Sequence, residues 1–144
     1  MNILFFIKPK AEVAYIDDHD SLRQAMEKME HHQYTAIPVL SRAGTYIGTI
    51  TEGDLLWYCK NQLAFNLKTS ESISIMELPR RASYQPVKAN SNMEDLISLA
   101  MDQNFVPVTD DTGHFIGIIT RKALIDFTYN KLCEYRRANQ KQLS

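Results

Sequence analysis

The stretch Ile37-Pro38-Val39-Leu40-Ser41-Arg42-Ala43-Gly44-Thr45-Tyr46-Ile47-Gly48-Thr49-Ile50-Thr51 occurs twice, the second copy running from Val106 to Thr120, sixty-nine residues later. Without gaps the two windows agree at seven of fifteen positions, from Pro38 with Pro107, through Gly44 with Gly113 and Gly48 with Gly117, to Thr51 with Thr120. Self-similarity of that kind outranks local propensity as a guide to architecture. Each copy reads as an apolar strand opened by proline, a glycine turn, a second apolar strand, and a threonine that caps the helix beginning just after it. The prolines are expected at strand starts, where no ladder donor is required, and Gly44 and Gly113 at tight turns that need positive φ.

The sequence on either side repeats the same order of elements. Val13-Ala14-Tyr15-Ile16 has strand composition, and Ser21 with Gln24 forms a capping-box pattern ahead of Leu22, Ala25, Met26 and Met29, which fall on one helix face. Pro86-Val87 repeats that short strand, Ser91 with Glu94 repeats the capping box, and Met93, Leu96, Ile97 and Ala100 repeat the apolar face. Asn104-Phe105 stands where Tyr34-Thr35-Ala36 stands in the first repeat, so an aromatic is expected in both pre-strand loops. The helix after Thr51 carries apolar residues on more than one side, including Leu56 and Trp57, and the last helix is expected from Arg121 to Arg137, with a frayed polar tail. Residues 61–72 read as a linker, Ile73-Ser74-Ile75-Met76 as a short helix or strand stopped by Pro79, and Arg80-Arg81 as a solvated basic pair of the connection, able to neutralise a phosphate only if the fold brings it near a cleft.

At 144 residues, with about seventy per repeat, neither copy is large enough for a comfortable core of its own, so the two are expected to share one. A net charge of -1 argues against general nucleic-acid binding. Ile3-Leu4-Phe5-Phe6-Ile7 is too short for a membrane span or a signal core, and is expected to pack against the body. Cys59 and Cys133 form no metal or disulfide pattern, which makes reduced thiols in a cytoplasm the default, and His31-His32 is read as complementing a helix C-terminus rather than as holding a metal. No Gly-rich phosphate loop, nucleophile elbow or HExxH motif is present, so no enzymatic activity is expected.

The hydrophobic-Pro-Val strand, the turn glycine and Gly48-Thr49-Ile50-Thr51-Glu52-Gly53-Asp54, of the form Gly-x-x-Thr-x-x-Asp, resemble the cystathionine-β-synthase (CBS) domain. Two in tandem resemble a CBS pair, or Bateman module. The resemblance implies an α+β fold of two strand-helix-strand-strand-helix repeats, residues 1–72 and 73–144, packed with pseudo-twofold symmetry as one module. It also implies two adenine-nucleotide clefts. One combines Ala14, Tyr34, Thr35, Ala36 and Pro38 with Thr120, Arg121 and Lys122, and the other combines Val87, Asn104 and Phe105 with Thr51 and Asp54.

Charge separates the two clefts. Glu52 and Asp54 complement the helix dipole after Thr51, whereas Arg121 and Lys122 oppose it after Thr120 by about 0.3 to 1 kcal/mol, and a bound phosphate would compensate. The first cleft is therefore expected to be the principal anion site, although Ala123 stands where the family has an aspartate. Tyr34-Thr35 before Ala36-Ile37-Pro38-Val39, with the basic pair after Thr120, is similar to stand-alone bacterial CBS pairs that bind cyclic di-AMP; AMP, ADP and ATP are the other candidates. The expected role is a nucleotide-binding regulatory module, homodimeric, signalling to an unidentified protein, with no cofactor, nucleic acid or membrane partner. The alternative is an interaction adaptor with vestigial clefts.

Overall fold

The computed structural model describes residues 1–62, 66–80 and 83–143. The first sheet has the order β2-β3-β4, from Ile16–Asp17, Ala36–Leu40 and Tyr46–Thr51. The second has the order β1-β7-β6-β5, from Lys8–Pro9, Phe115–Thr120, Phe105–Thr109 and Val87–Lys88. Helices α1 (Leu22–His32) and α2 (Glu52–Asn61) accompany the first sheet, and α3 (Met93–Ala100) and α4 (Arg121–Leu143) the second. Each repeat is therefore strand-helix-strand-strand-helix, an α+β architecture as expected.

The central strands β3 and β6 are buried at every residue, each lying between a parallel and an antiparallel neighbour. Pro38 and Pro107 sit inside these strands, opposite Thr49 and Ile118, and not at their starts. The backbone tolerates them for a local reason. Leu40 and Thr109 accept the N–H groups of Asp18 and Ala89 at 2.9 and 2.8 Å, so they aim at the parallel neighbour. Two residues earlier the prolines aim the same way, but parallel pairing begins only at Val39 and Val108, so no donor is needed there.

The Ser21–Gln24 capping box closes the start of α1 as the sequence suggests. The second repeat caps differently: Asn92, not Ser91, is the N-cap, its side chain accepting the Asp95 N–H at 2.8 Å, one residue beyond the expected position. The last helix also runs further than expected, to Leu143, with Asn139 to Gln142 helical rather than frayed. Gly44 and Gly113 adopt φ of 86° and 87°, the positive values their turns demand.

The N-terminal segment completes the second repeat rather than the first. Ile3 and Phe6 are buried with Leu96, Val106 and Ile119, and β1 pairs antiparallel with β7. Reciprocally, Ile75 and Leu78, which open the second half of the chain, are buried with Ile16, Leu22 and Ile50 of the first repeat. The Leu22 N–H bonds the Ile73 carbonyl at 2.7 Å, and the Ile75 N–H bonds Asp20 at 3.1 Å. Each repeat is thus closed by the segment that precedes the other.

Equivalent residues also meet across a pseudo-twofold axis. The Tyr46 N–H donates to Gly113 at 3.1 Å and the Phe115 N–H to Gly44 at 2.9 Å, a reciprocal pair between the two hairpin turns. Beneath it, Val13, Ala36 and Leu40 from the first repeat pack with Phe105, Phe115 and Ile118 from the second. The single shared core expected from the length is thus not what forms: each repeat keeps a buried cluster of its own, around Leu22 in the first and Leu96 in the second, and this shared cluster joins them.

Gly117 lies against the backbone of Lys8 and the side chain of Ile7, closer than any side chain would permit. Gly117→Ala is therefore expected to push β1 off the sheet and lower stability by about 1 to 3 kcal/mol. Urea denaturation measures this, and an unchanged midpoint would show that β1 contributes nothing to closing the second repeat.

Candidate functional site

Antiparallel pairing fixes the neighbours of each helix start. Ala36 pairs with Thr51 and Phe105 with Thr120, so each pre-strand loop lies beside the first turn of its own repeat's second helix. The Glu52 N–H bonds the Thr35 carbonyl at 3.0 Å, and the Arg121 N–H bonds the Asn104 carbonyl at 2.9 Å. The two loops then meet: Asn104 Nδ2 donates to Thr35 Oγ1 at 3.0 Å, equivalent residues of the two repeats. Four of the segments singled out in the sequence converge here.

The loops are not equivalent in chemistry. In the first, the Ala14 N–H donates to the Tyr34 hydroxyl at 3.4 Å. In the second, Gln103 takes that place, accepting the Gln85 N–H at 2.8 Å while its amide donates to the carbonyls of Gln85 and Phe105, both at 3.1 Å. Strand register aligns Tyr34 with Gln103 and Ala36 with Phe105, so the expected aromatic is not retained in the second loop; Phe105 faces the inter-repeat core. Nothing in the sequence marks Gln103, because a lone glutamine after a helix carries no pattern. Val87 is buried against β6, where it packs rather than faces solvent.

Thr51 and Asp54 form a capping box: Thr51 Oγ1 accepts the Asp54 N–H at 3.2 Å, and the Asp54 carboxylate accepts the Thr51 N–H at 2.9 Å. With 2% of its surface exposed, Asp54 first of all holds the start of α2. Thr120 caps α4 by accepting the Ala123 N–H at 3.1 Å.

The basic pair at α4 is already engaged. Arg121 Nε donates to the Ala100 carbonyl at 2.7 Å and Nη2 to that of Met101 at 3.4 Å, so the guanidinium caps the negative end of α3. Lys122, 85% exposed, pairs with Asp126 at 2.9 Å. The unfavourable charge on the α4 dipole is thus compensated within the protein, and no phosphate is needed there to offset it.

Arg80 occupies a different position. Its guanidinium lies directly over Gly48 of β4, where any side chain would collide with it. A cavity of about 290 Å³ on one side is lined by Ile47, Gly48, Thr49, Arg80, Tyr84 and Gln85. Another of about 260 Å³ is lined by Val39, Ile50, Ile75, Leu78 and Arg80. Among the described residues, no carboxylate forms an ion pair with Arg80. Arg81, its expected companion, lies outside the described residues. Tyr84 accepts the Asn104 N–H at 3.1 Å, which ties this cavity to the convergence of loops. The sequence signals the basic residue but not that it would lie on Gly48.

The CBS domain family model matches residues 7–61 and 75–129. The chain belongs to the CBS-domain family. A relative, the CBS domain-containing protein CBSX2, chloroplastic, of Arabidopsis thaliana, is 24% identical over 140 residues, covering 81% of this chain and 58% of that protein. The chain therefore spans less than two thirds of the curated relative's length. Among solved CBS-pair structures, CbpB in complex with c-di-AMP superposes with a TM-score of 0.82 at 21% identity, covering 96% of this chain and 91% of that one. The CbpB protein of Listeria monocytogenes, also in complex with c-di-AMP, gives 0.79 at 22% identity, covering 90% and 96%. CBSX2 in complex with AMP gives 0.72 at 24% identity, covering 90% and 96%. These structural likenesses bear on the fold, which is that of a tandem CBS pair.

Beside Arg80, Tyr46 donates to or accepts from Thr49 at 2.7 Å. Burial pushes its phenol up to about 12, against the opposing effects of the Thr49 bond and the Arg80 charge. The neutral phenol is favoured in the fold, so its contribution is intact below an unfolded value near 10 and is lost as pH rises through about 12. Urea titrations of the parent and Tyr46→Phe from pH 8 to 12 are expected to differ by an amount that shrinks by about 2 to 3 kcal/mol over that range. A constant difference would mean that Tyr46 ionises as freely folded as unfolded.

Proposed function

We propose that this CBS pair is an adenine-nucleotide-binding regulatory module rather than an enzyme, and that its main anion contact is Arg80. The observation that carries the reading is the Arg80 guanidinium lying over Gly48 between two cavities, with no carboxylate partner among the described residues. A guanidinium so placed suits a phosphate, offering paired donors in a fixed plane. The cavities stand near the low end of small-molecule site volumes, about 300 Å³. They fit one end of a nucleotide against Thr49 and Tyr84, with Thr51, Asp54, Val87, Asn104 and Phe105 as the framework of that cleft. CbpB with c-di-AMP and CBSX2 with AMP support the choice of ligand class. The cleft of Ala14, Tyr34, Thr35, Ala36, Pro38, Thr120, Arg121 and Lys122 is then the secondary one, because Arg121 must leave the α3 carbonyls before it can hold an anion.

The protein acts in this reading as a homodimer that passes ligand occupancy to a partner protein. Exposed Leu56 and Trp57 on α2, with Ile97 on α3, Met101 just after it and Ile125 on α4, give it apolar surface to bury. No described helix is long and apolar enough to cross a membrane, and Cys59 and Cys133 are free thiols, in keeping with a cytoplasmic setting.

Calorimetric titration with AMP, ATP and cyclic di-AMP tests the reading. At least one should bind, with Arg80→Ala weakening it about ten- to a hundredfold and Arg121→Ala changing it little. If Arg121→Ala abolishes binding while Arg80→Ala leaves it intact, the other cleft is the site; if none of the three binds, the adaptor role replaces the sensor. Light scattering at micromolar concentration is expected to give twice the 16.6 kDa chain mass, and a monomer would remove the homodimer.

A further inference from the structure

The turn between β2 and α1 carries Asp17-Asp18-His19-Asp20. Asp17, His19 and Asp20 each bring one ligating atom to a cluster in which these atoms all lie within 4.8 Å of one another. Asp17 and Asp20 are half-buried and His19 is exposed, and Asp18 stands 3.5 Å from the His19 ring. Among the described residues no lysine or arginine forms an ion pair with any of the three aspartates. Arg23, the cation that follows in sequence, is held by Glu27 at 3.0 Å and Glu71 at 2.6 Å. The cluster opens on a polar cavity of about 690 Å³ lined by His19, Asp20, Ser21, Glu71, Ser72 and Ser74.

The second repeat builds the same turn without these side chains. In the first, the Asp18 N–H bonds the Leu40 carbonyl at 2.9 Å and the Asp20 N–H that of Asp17 at 3.0 Å. At the equivalent place the Ala89 N–H bonds the Thr109 carbonyl at 2.8 Å and the Ser91 N–H that of Lys88 at 2.9 Å. Lys88-Ala89-Asn90-Ser91 makes that turn with no carboxylate and no imidazole. The backbone therefore does not call for the donors of the first repeat. Nor does the start of α1, because a helix N-terminus favours anions and gives no reason for an imidazole among them.

We propose that Asp17, His19 and Asp20 bind a divalent transition-metal ion, and that the ion is Zn²⁺. Carboxylate oxygen and imidazole nitrogen are donors that Zn²⁺ takes together, at about 2.0 to 2.2 Å, whereas Mg²⁺ and Ca²⁺ take oxygen. Bound at those lengths the three atoms stand about 3 to 4 Å apart, so small side-chain rotations close the set. Asp20 Oδ2 accepts the Asp17 N–H at 3.0 Å, which leaves Oδ1 for the ion, and water from the cavity completes the coordination. The ion has a structural consequence. The Asp20 carbonyl accepts the Ile75 N–H at 3.1 Å, and the Leu22 N–H donates to the Ile73 carbonyl at 2.7 Å. The turn that zinc fixes is thus the one on which the segment closing the first repeat docks, with or without a nucleotide.

Calorimetric titration with ZnCl₂ tests this on the full chain carrying Cys59→Ser and Cys133→Ser, which removes competing thiols. One ion per chain is expected to bind, and an equal concentration of MgCl₂ should not displace it. His19→Gln and Asp17→Asn should each weaken binding by at least the roughly tenfold that loss of an outer-shell partner costs a metal site. His31→Gln with His32→Gln should leave it unchanged. In hydrogen exchange, zinc should slow the Leu22 and Ile75 amides more than those of the second repeat, and should not do so in His19→Gln. Absence of zinc binding, binding that survives His19→Gln, loss of binding with His31 and His32, or displacement by Mg²⁺ overturns the site. Slowing shared equally by both repeats overturns its link to the closing segment.

Discussion

The architecture depends on contact between equivalent residues of the two repeats. Reciprocal backbone bonds join Tyr46 to Gly113 and Phe115 to Gly44, and the Asn104 amide reaches Thr35 on the same axis. Between these points lies an apolar cluster drawn from both sheets. Neither repeat could bury Ala36, Leu40, Phe105 and Phe115 alone, since each presents that face outward from its own sheet. Exchange of the closing segments strengthens the dependence, because the first repeat is completed by residues 73–78 and the second by residues 3–9. The two repeats therefore depend on each other for closure.

Much of this was legible in the sequence, and the reasons are physical. The repeat itself, the positive φ of Gly44 and Gly113, the capping of α1 and the burial of Ile3 and Phe6 follow from patterns that local chemistry enforces. The misplacements have local causes too. A missing donor ordinarily places proline at a strand start, and only the late entry of the parallel strand shows why Pro38 and Pro107 can sit inside. The N-cap fell on Asn92 because its carboxamide serves as well as a serine hydroxyl, one position along.

The candidate site was less legible, since it depends on where side chains turn. Arg121 at a helix start reads as an anion ligand, but the end of α3 lies within its reach and supplies two carbonyls. Asp54 reads as a ribose acceptor, but its carboxylate closes the helix start and is almost wholly covered. Arg80 was visible only as a basic residue in a connection. Its position over Gly48 follows from the return of residues 73–78 to the first repeat, a long-range event without a local signal.

The most direct measurement is a crystal structure of the protein with AMP bound. Phosphate oxygens are expected within about 3 Å of the Arg80 guanidinium, beside Gly48 and Tyr84, with Arg121 still on the Ala100 carbonyl. Phosphate found instead on Arg121 and Lys122, with Arg121 released from α3, would contradict this.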